Sequence, residues 1–101
     1  MKTIFITGAS SGIGRETTKY FSQNGWRVVA TMRNPEKAGE LAKMENVVIM
    51  PLDLTNPEQI RETSKKALEQ CGVDVLFNNA GYGIMAPFER LPETEIRKLF
   101  A

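Results

Sequence analysis

An open, parallel α/β sheet of strand order 3-2-1-4, the first half of a doubly wound domain, is the fold this sequence predicts. Three observations carry the expectation. Short apolar runs alternate with helix-forming segments along the whole chain. The runs are apolar on successive residues, as strands buried on both faces should be. The order is β-α-β-α-β-α-β-α, which calls for parallel strands joined by right-handed helical crossovers.

Residues 3–7, Thr-Ile-Phe-Ile-Thr, are short, β-branched and apolar and make the first strand. Residues 12–24 carry helix formers and stop at Gly25, a left-handed C-cap. Residues 27–32, Arg-Val-Val-Ala-Thr-Met, repeat the buried-strand pattern. Asn34, Pro35 and Glu36 then supply a cap, a first-turn proline and an acid at the positive helix end. A short helix is expected from there to about Lys43. Residues 46–51 form a third strand. Thr55 and Glu58 stand at capping-box spacing, with Thr55 as the N-cap. The helix behind them sets Ile60, Ser64, Ala67, Leu68 and Cys71 on one stripe before Gly72 ends it. Residues 73–77 form the fourth strand, and residues 92–101 begin another helix bearing Ile96, Leu99 and Phe100. That helix meets no stop signal, so residues 1–101 are expected to be one domain cut within its fourth helix.

Composition narrows the function. A chain of 101 residues and 11.3 kDa is enough for one domain and too little for two. Hydrophobic residues at 42% and charged residues at 25% argue against disorder. Thirteen Lys and Arg against twelve Asp and Glu give a net charge of +1, so bulk charge draws in no nucleic acid. No apolar stretch approaches the ~18 residues of a membrane span, and the N-terminus is no signal peptide. The single cysteine, Cys71, excludes an internal disulfide and suits the cytoplasm. There is no histidine, which removes Ser-His-Asp and Cys-His catalysis and histidine metal sites together.

Four constellations remain. In Thr7-Gly8-Ala9-Ser10-Ser11-Gly12-Ile13-Gly14, Gly8 permits a sharp turn and Gly12 a close approach to a pyrophosphate. Gly14 lets the helix press on the sheet, and the free N–H groups at the helix start favour phosphates. Three spaced glycines could also merely connect two elements; their place after the first strand favours a nucleotide. No Gly-Lys-Ser/Thr follows, which excludes a Walker A loop. About twenty residues on, where an NAD site keeps an acid for the ribose 2′-hydroxyl, the chain has Arg33. An arginine there accommodates a 2′-phosphate, with Arg15 and Ser10 or Ser11 near enough to add donors; the alternative is a solvated strand-end residue. Asp53, followed by Leu54, is placed to accept from an adenine amino group, and equally to form a turn before a helix. Asn78-Asn79-Ala80-Gly81 would line the crevice at the strand ends, or make an ordinary turn.

Taken together, Thr-Gly-x-x-x-Gly-Ile-Gly, Asp53 and Asn-Asn-Ala-Gly in this order and spacing resemble the short-chain dehydrogenase/reductase family. The resemblance covers the whole chain and the N-terminal part of the family's length. It implies a Rossmann-type domain in which Gly8, Ser10, Ser11, Gly12, Ile13 and Gly14 hold the dinucleotide. It also implies that Arg33 meets the 2′-phosphate and that Asp53 and Leu54 meet adenine. Asn79, Ala80 and Gly81 would line the ribose and nicotinamide side, and Asn78 would brace the central strands. The family's Tyr-x-x-x-Lys pair is absent: Tyr20 precedes Phe-Ser-Gln-Asn and Tyr82 precedes Gly-Ile-Met-Ala. No position matches the catalytic serine, so no catalytic residue is assigned.

The expected function is therefore the NADP(H)-binding portion of an oxidoreductase that interconverts an alcohol and a carbonyl by hydride transfer. The alternatives are a noncatalytic NADP(H) sensor, or a fragment that folds only on association. The expected partners are the dinucleotide and, for the complete protein, a small alcohol or carbonyl and further copies of itself. The outer edge of the fourth strand, bare if the chain stops here, adds an expectation of self-association.

Overall fold

The computed structural model describes residues 1–79 and 84–87. Side chains along each strand point alternately to opposite faces of the sheet, and both faces here are apolar. On β1 (Thr3–Ile6), Ile4 and Ile6 face one way and Phe5 the other. On β2 (Arg27–Met32), Val28, Ala30 and Met32 share the first face, with Val29 opposite. Val47 of β3 (Val47–Pro51) and Phe77 of β4 (Val75–Asn78) complete the first cluster; Met50 and Leu76 belong to the second. Such a sheet needs a layer on each side. Helix α1 (Gly12–Gln23) follows β1, and α2 (Pro57–Gln70) follows β3. Ile60 and Ala67 of α2 pack into the second cluster, whereas Phe21 of α1 packs against the first.

The four strands are parallel and stand in the order 3-2-1-4, as expected. A fifth, β5 (Ile84–Pro87), was not expected. It runs antiparallel along the outer edge of β4, with Asn78 opposite Ile84 and Val75 opposite Pro87. The edge anticipated as bare is thus paired. Proline in that run weakens the strand signal, but it is tolerated on an edge strand, where no ladder donor is needed. The helix expected over residues 92–101 lies outside the described residues, as does the point where the domain was expected to be cut.

Three local expectations are corrected. The short helix expected from Asn34 to Lys43 is two 3₁₀ turns, Pro35–Lys37 and Gly39–Lys43. Gly39 sits at φ +58, a conformation that no right-handed helix can pass through. The cap of α2 is Asn56, whose Oδ1 accepts from the Gln59 N–H at 3.1 Å, and not Thr55. Thr55 instead turns its hydroxyl to Asp53, and Glu58 pairs with Arg61 at 2.6 Å. The fourth strand begins at Val75, because the preceding Asp74 is tied to Thr3, whose N–H it accepts at 2.7 Å.

The predicted stripe on α2 is present, with Ile60, Ser64 and Ala67 buried and Leu68 and Cys71 packed against the same cluster. On α1 the buried face is built from small residues, Gly14, Thr18 and Ser22, which lets the helix lie close to the sheet. Gly14 is the tightest point. A Cβ there would stand 2.7 Å from the Asn79 amide nitrogen and closer still to the Gly8 carbonyl oxygen. Since Gly8 presents backbone, little can give way. Gly14→Ala should therefore destabilise the fold by about 1–3 kcal/mol or more, lowering the melting temperature by roughly 4–8 °C for each kcal/mol lost. A thermal melt of the variant beside the parent chain checks this; an unchanged midpoint would contradict it.

Candidate functional site

The carboxyl ends of β1, β2 and β3 open into one cleft of about 430 Å³, lined by Thr7, Gly8, Ser10, Met32, Arg33, Asn34, Lys37, Leu52, Asp53, Leu54 and Thr55. Five residues singled out from sequence, Gly8, Ser10, Arg33, Asp53 and Leu54, are brought together there. Ser11, Gly12, Ile13 and Gly14 follow directly at the start of α1.

The glycine loop is shaped by two left-handed residues, Gly8 at φ 64 and Gly12 at φ 57. Between them the Ala9 N–H donates to the Thr31 carbonyl at 3.0 Å, pinning the loop to β2. Ser11 is the N-cap of α1, yet its side chain makes no capping bond. The first N–H groups of a helix have no intrahelical partner, and the first turn of α1 contains no acidic side chain. An anion at this end therefore meets donors and a favourable dipole with no competing carboxylate. Ile13, 70% exposed, stands beside these donors.

The edge at the end of β2 is basic. Arg33 is 77% exposed, and its Nε stands 3.9 Å from Asp53 Oδ2. Lys37, on the first 3₁₀ turn, lines the same cleft and was not among the residues singled out from sequence. The Asn34-Pro35 turn start was the available signal, since it folds the next residues back over the strand end. Met32 borders the cleft too, but it is 2% exposed and packs in the first core cluster. Arg15 does not add a donor to the cleft as anticipated. Its Nη1 donates to the carbonyls of Ser10, at 3.4 Å, and Ala38, at 3.1 Å. Its Nη2 lies 3.6 Å from Glu40 Oε1, which also holds Lys19 Nζ at 2.6 Å. The Lys19 hydrogen bond and charge, and then Arg15, hold the Glu40 carboxyl below the usual carboxylate range, so it stays ionised at neutral pH.

Asp53 forms the turn that its sequence context allowed. Oδ1 accepts from the Thr55 hydroxyl at 2.7 Å and the Thr55 N–H at 2.9 Å, forming the turn before α2. Those bonds, with a smaller contribution from the Arg33 charge, lower its pKa and keep it an acceptor. Oδ2 faces Arg33 across the cleft.

The two asparagines both act as braces. The Thr7 hydroxyl donates to Asn78 Oδ1 at 3.0 Å, tying β1 to β4 as expected. The Asn79 amide donates to the Gly8 carbonyl at 3.2 Å, so its nitrogen supports the loop from below. Ala80 and Gly81 lie outside the described residues. Tyr20 is on α1, 62% exposed and edge-on to Phe21, and does not line the cleft. Among the described residues there is no cluster of metal-ligating side chains, and no helix is long and apolar enough to cross a membrane.

Comparison with known proteins agrees with this geometry. The chain is 33% identical over 103 residues to a short-chain dehydrogenase of Talaromyces islandicus, covering 99% of this chain and 36% of that protein. It is 39% identical over 98 residues to human retinol dehydrogenase 11, covering 88% of this chain and 30% of that one. Among solved structures, salutaridine reductase from Papaver somniferum superposes with a TM-score of 0.72 at 35% identity, covering 80% of this chain and 30% of that one. The chain thus spans about a third of the length of the relatives it matches. The family model for short chain dehydrogenases matches residues 2–101, glycine loop included; this chain belongs to the short-chain dehydrogenase family.

Proposed function

We propose that this chain is the NADP(H)-binding portion of a short-chain dehydrogenase that interconverts an alcohol and a carbonyl. The observation that carries the reading is the basic edge at the end of β2, where Ser10, Arg33 and Lys37 face one cleft. The carboxylate on that cleft, Asp53, stands at the end of β3 with one oxygen already held by Thr55. A 2′-hydroxyl would need a free acceptor beside β2, whereas a 2′-phosphate needs the cations that are there.

The residues fit a dinucleotide. Gly14 keeps the space under the loop clear, and the first turn of α1 offers unpaired N–H groups and carries no acid of its own. In this reading Gly8, Ser10, Ser11, Gly12, Ile13 and Gly14 hold the diphosphate, Arg33 and Lys37 the 2′-phosphate, and Asp53 and Leu54 the adenine. Asn79, with Ala80 and Gly81, borders the ribose and nicotinamide side. When bound, the nicotinamide carries the hydride; these residues bind and orient it. The complete enzyme would act on a small alcohol or carbonyl as a homo-oligomer, and the half-buried Cys71, the one cysteine of these 101 residues, suits the cytoplasm.

Two outcomes test the proposal. Titration of the chain at low salt, followed by cofactor fluorescence, should show tighter binding of NADPH than of NADH. A charge-assisted pair contributes about 1.5–3 kcal/mol, and for an arginine this exposed, screening puts the effect near the lower end. Arg33→Ala should therefore weaken NADPH about tenfold and leave NADH nearly unchanged. Equal affinities in the parent would make Arg33 a solvated strand-end residue. Met32 is the wrong place for an acidic swap, because a carboxylate there would be buried in the core.

The second outcome concerns turnover. The Tyr-x-x-x-Lys pair does not occur in these 101 residues, and a positioned proton donor typically contributes ~10²–10⁴-fold. The 101-residue polypeptide should give no NADPH oxidation with a panel of aldehydes and ketones. Measurable turnover would place the proton-transfer chemistry in residues identified here as binding groups only.

A further inference from the structure

Arg15 is one residue past the glycine loop, yet its guanidinium does not face the cleft's ligand-binding side. It threads under the turn that follows β2. One nitrogen, Nη1, joins the Ser10 carbonyl of the loop to the Ala38 carbonyl of the turn, at 3.4 and 3.1 Å. The other, Nη2, is held by Glu40 at 3.6 Å, and Glu40 is anchored in turn by Lys19 at 2.6 Å. Fit is close: a Cβ on Gly39 would stand 3.3 Å from Nη2. The two carbonyls matter because of their neighbours. Ser10 itself lines the cleft, and Ala38 follows Lys37, a cation that lines it too.

We propose that Arg15 is a positioning residue for cofactor selection, holding the glycine loop and the Lys37 turn at the separation a 2′-phosphate requires. This rests on the NADP(H) reading above. The physical case is that the Lys37 turn is not rigid by itself. The turn is built of two short 3₁₀ segments broken at Gly39, with all of residues 33–37 exposed. Short 3₁₀ turns have poorer hydrogen-bond geometry than α-helix, so outside contacts decide where Lys37 stands. Ala38 and Leu41 anchor the turn in the core, and Arg15 is the hydrogen-bonded link from it to the loop. A planar guanidinium with several fixed donors can join two carbonyls and a carboxylate at once; an ammonium cannot hold all three in one plane.

The test reads a ratio. NADPH and NADH are titrated separately into the chain, Arg15→Met and Arg15→Lys, with thermal melts alongside. Arg15→Met should lower the NADPH-over-NADH preference about tenfold, the loss expected for one charge-assisted hydrogen-bonded link. NADH binding should change little, and Arg15→Lys should restore part of the preference. If Arg15→Met proves unfolded at the assay temperature, Glu40→Gln reads the same ratio with the guanidinium still present, and the preference should fall in the same direction. A merely structural role would weaken both dinucleotides equally and leave the ratio at its parent value, which would overturn the proposal. A parent chain with no preference, or no binding, would instead sink the NADP(H) reading and this inference with it.

Discussion

The Gly8 carbonyl oxygen is where the loop, the first helix and the end of the fourth strand meet. It accepts from the Asn79 amide at 3.2 Å, and Gly14 of α1 lies directly against it. Because Gly14 has no side chain, α1 can start this close to the sheet edge. Because α1 starts here, its unpaired N–H groups face the crevice at the strands' carboxyl ends. The small residues further along the same face, Thr18 and Ser22, continue that approach. Thr18 satisfies its own buried hydroxyl on the Gly14 carbonyl at 2.8 Å, so the close contact leaves no unpaired polar group at that step.

The rest of the site is arranged by polar contacts that extend the sheet beyond its strands. The Thr31 hydroxyl donates to the Ile6 carbonyl at 2.8 Å, and the Thr31 carbonyl accepts from Ala9 at 3.0 Å. The Leu52 N–H donates to the Met32 carbonyl at 2.8 Å, which brings Asp53 level with Arg33. Each of these bonds joins neighbouring strands at the point where the ladder ends. The loops leave the sheet in a fixed order, and the charged residues at 33 and 37, after β2, reach one cleft with that at 53, after β3.

What was legible in the sequence is what depends on local pattern. Strand order follows from parallel crossovers, and the glycine loop, Arg33, Asp53 and Leu54 were identifiable because each sits at the end of an unambiguous apolar run. Gly39 interrupts the turn after β2 in plain sight, but its effect depends on a positive φ that spacing alone does not announce. Thr55 and Asn56 compete for one cap, and the choice is decided by Asp53 drawing the Thr55 hydroxyl away. Arg15 was misread and Lys37 missed for a different reason. Their surroundings are set by tertiary proximity, such as the contact between Arg15 and Ala38, 23 positions apart. The antiparallel β5 was missed because proline lowers strand propensity everywhere except at an edge.

Arg33 and Asp53 face each other across the mouth of the cleft at 3.9 Å, with the guanidinium largely in water. The carboxylate thus serves as a resident counterion for the arginine. An exposed pair at this distance is weak, so a phosphate dianion can draw the guanidinium away at little cost, while a neutral hydroxyl cannot. The same pairing masks the cation from chance polyanions. Drawn from Arg33 by such an exchange, Asp53 Oδ2 becomes the spare acceptor of that carboxylate, since Oδ1 stays with Thr55.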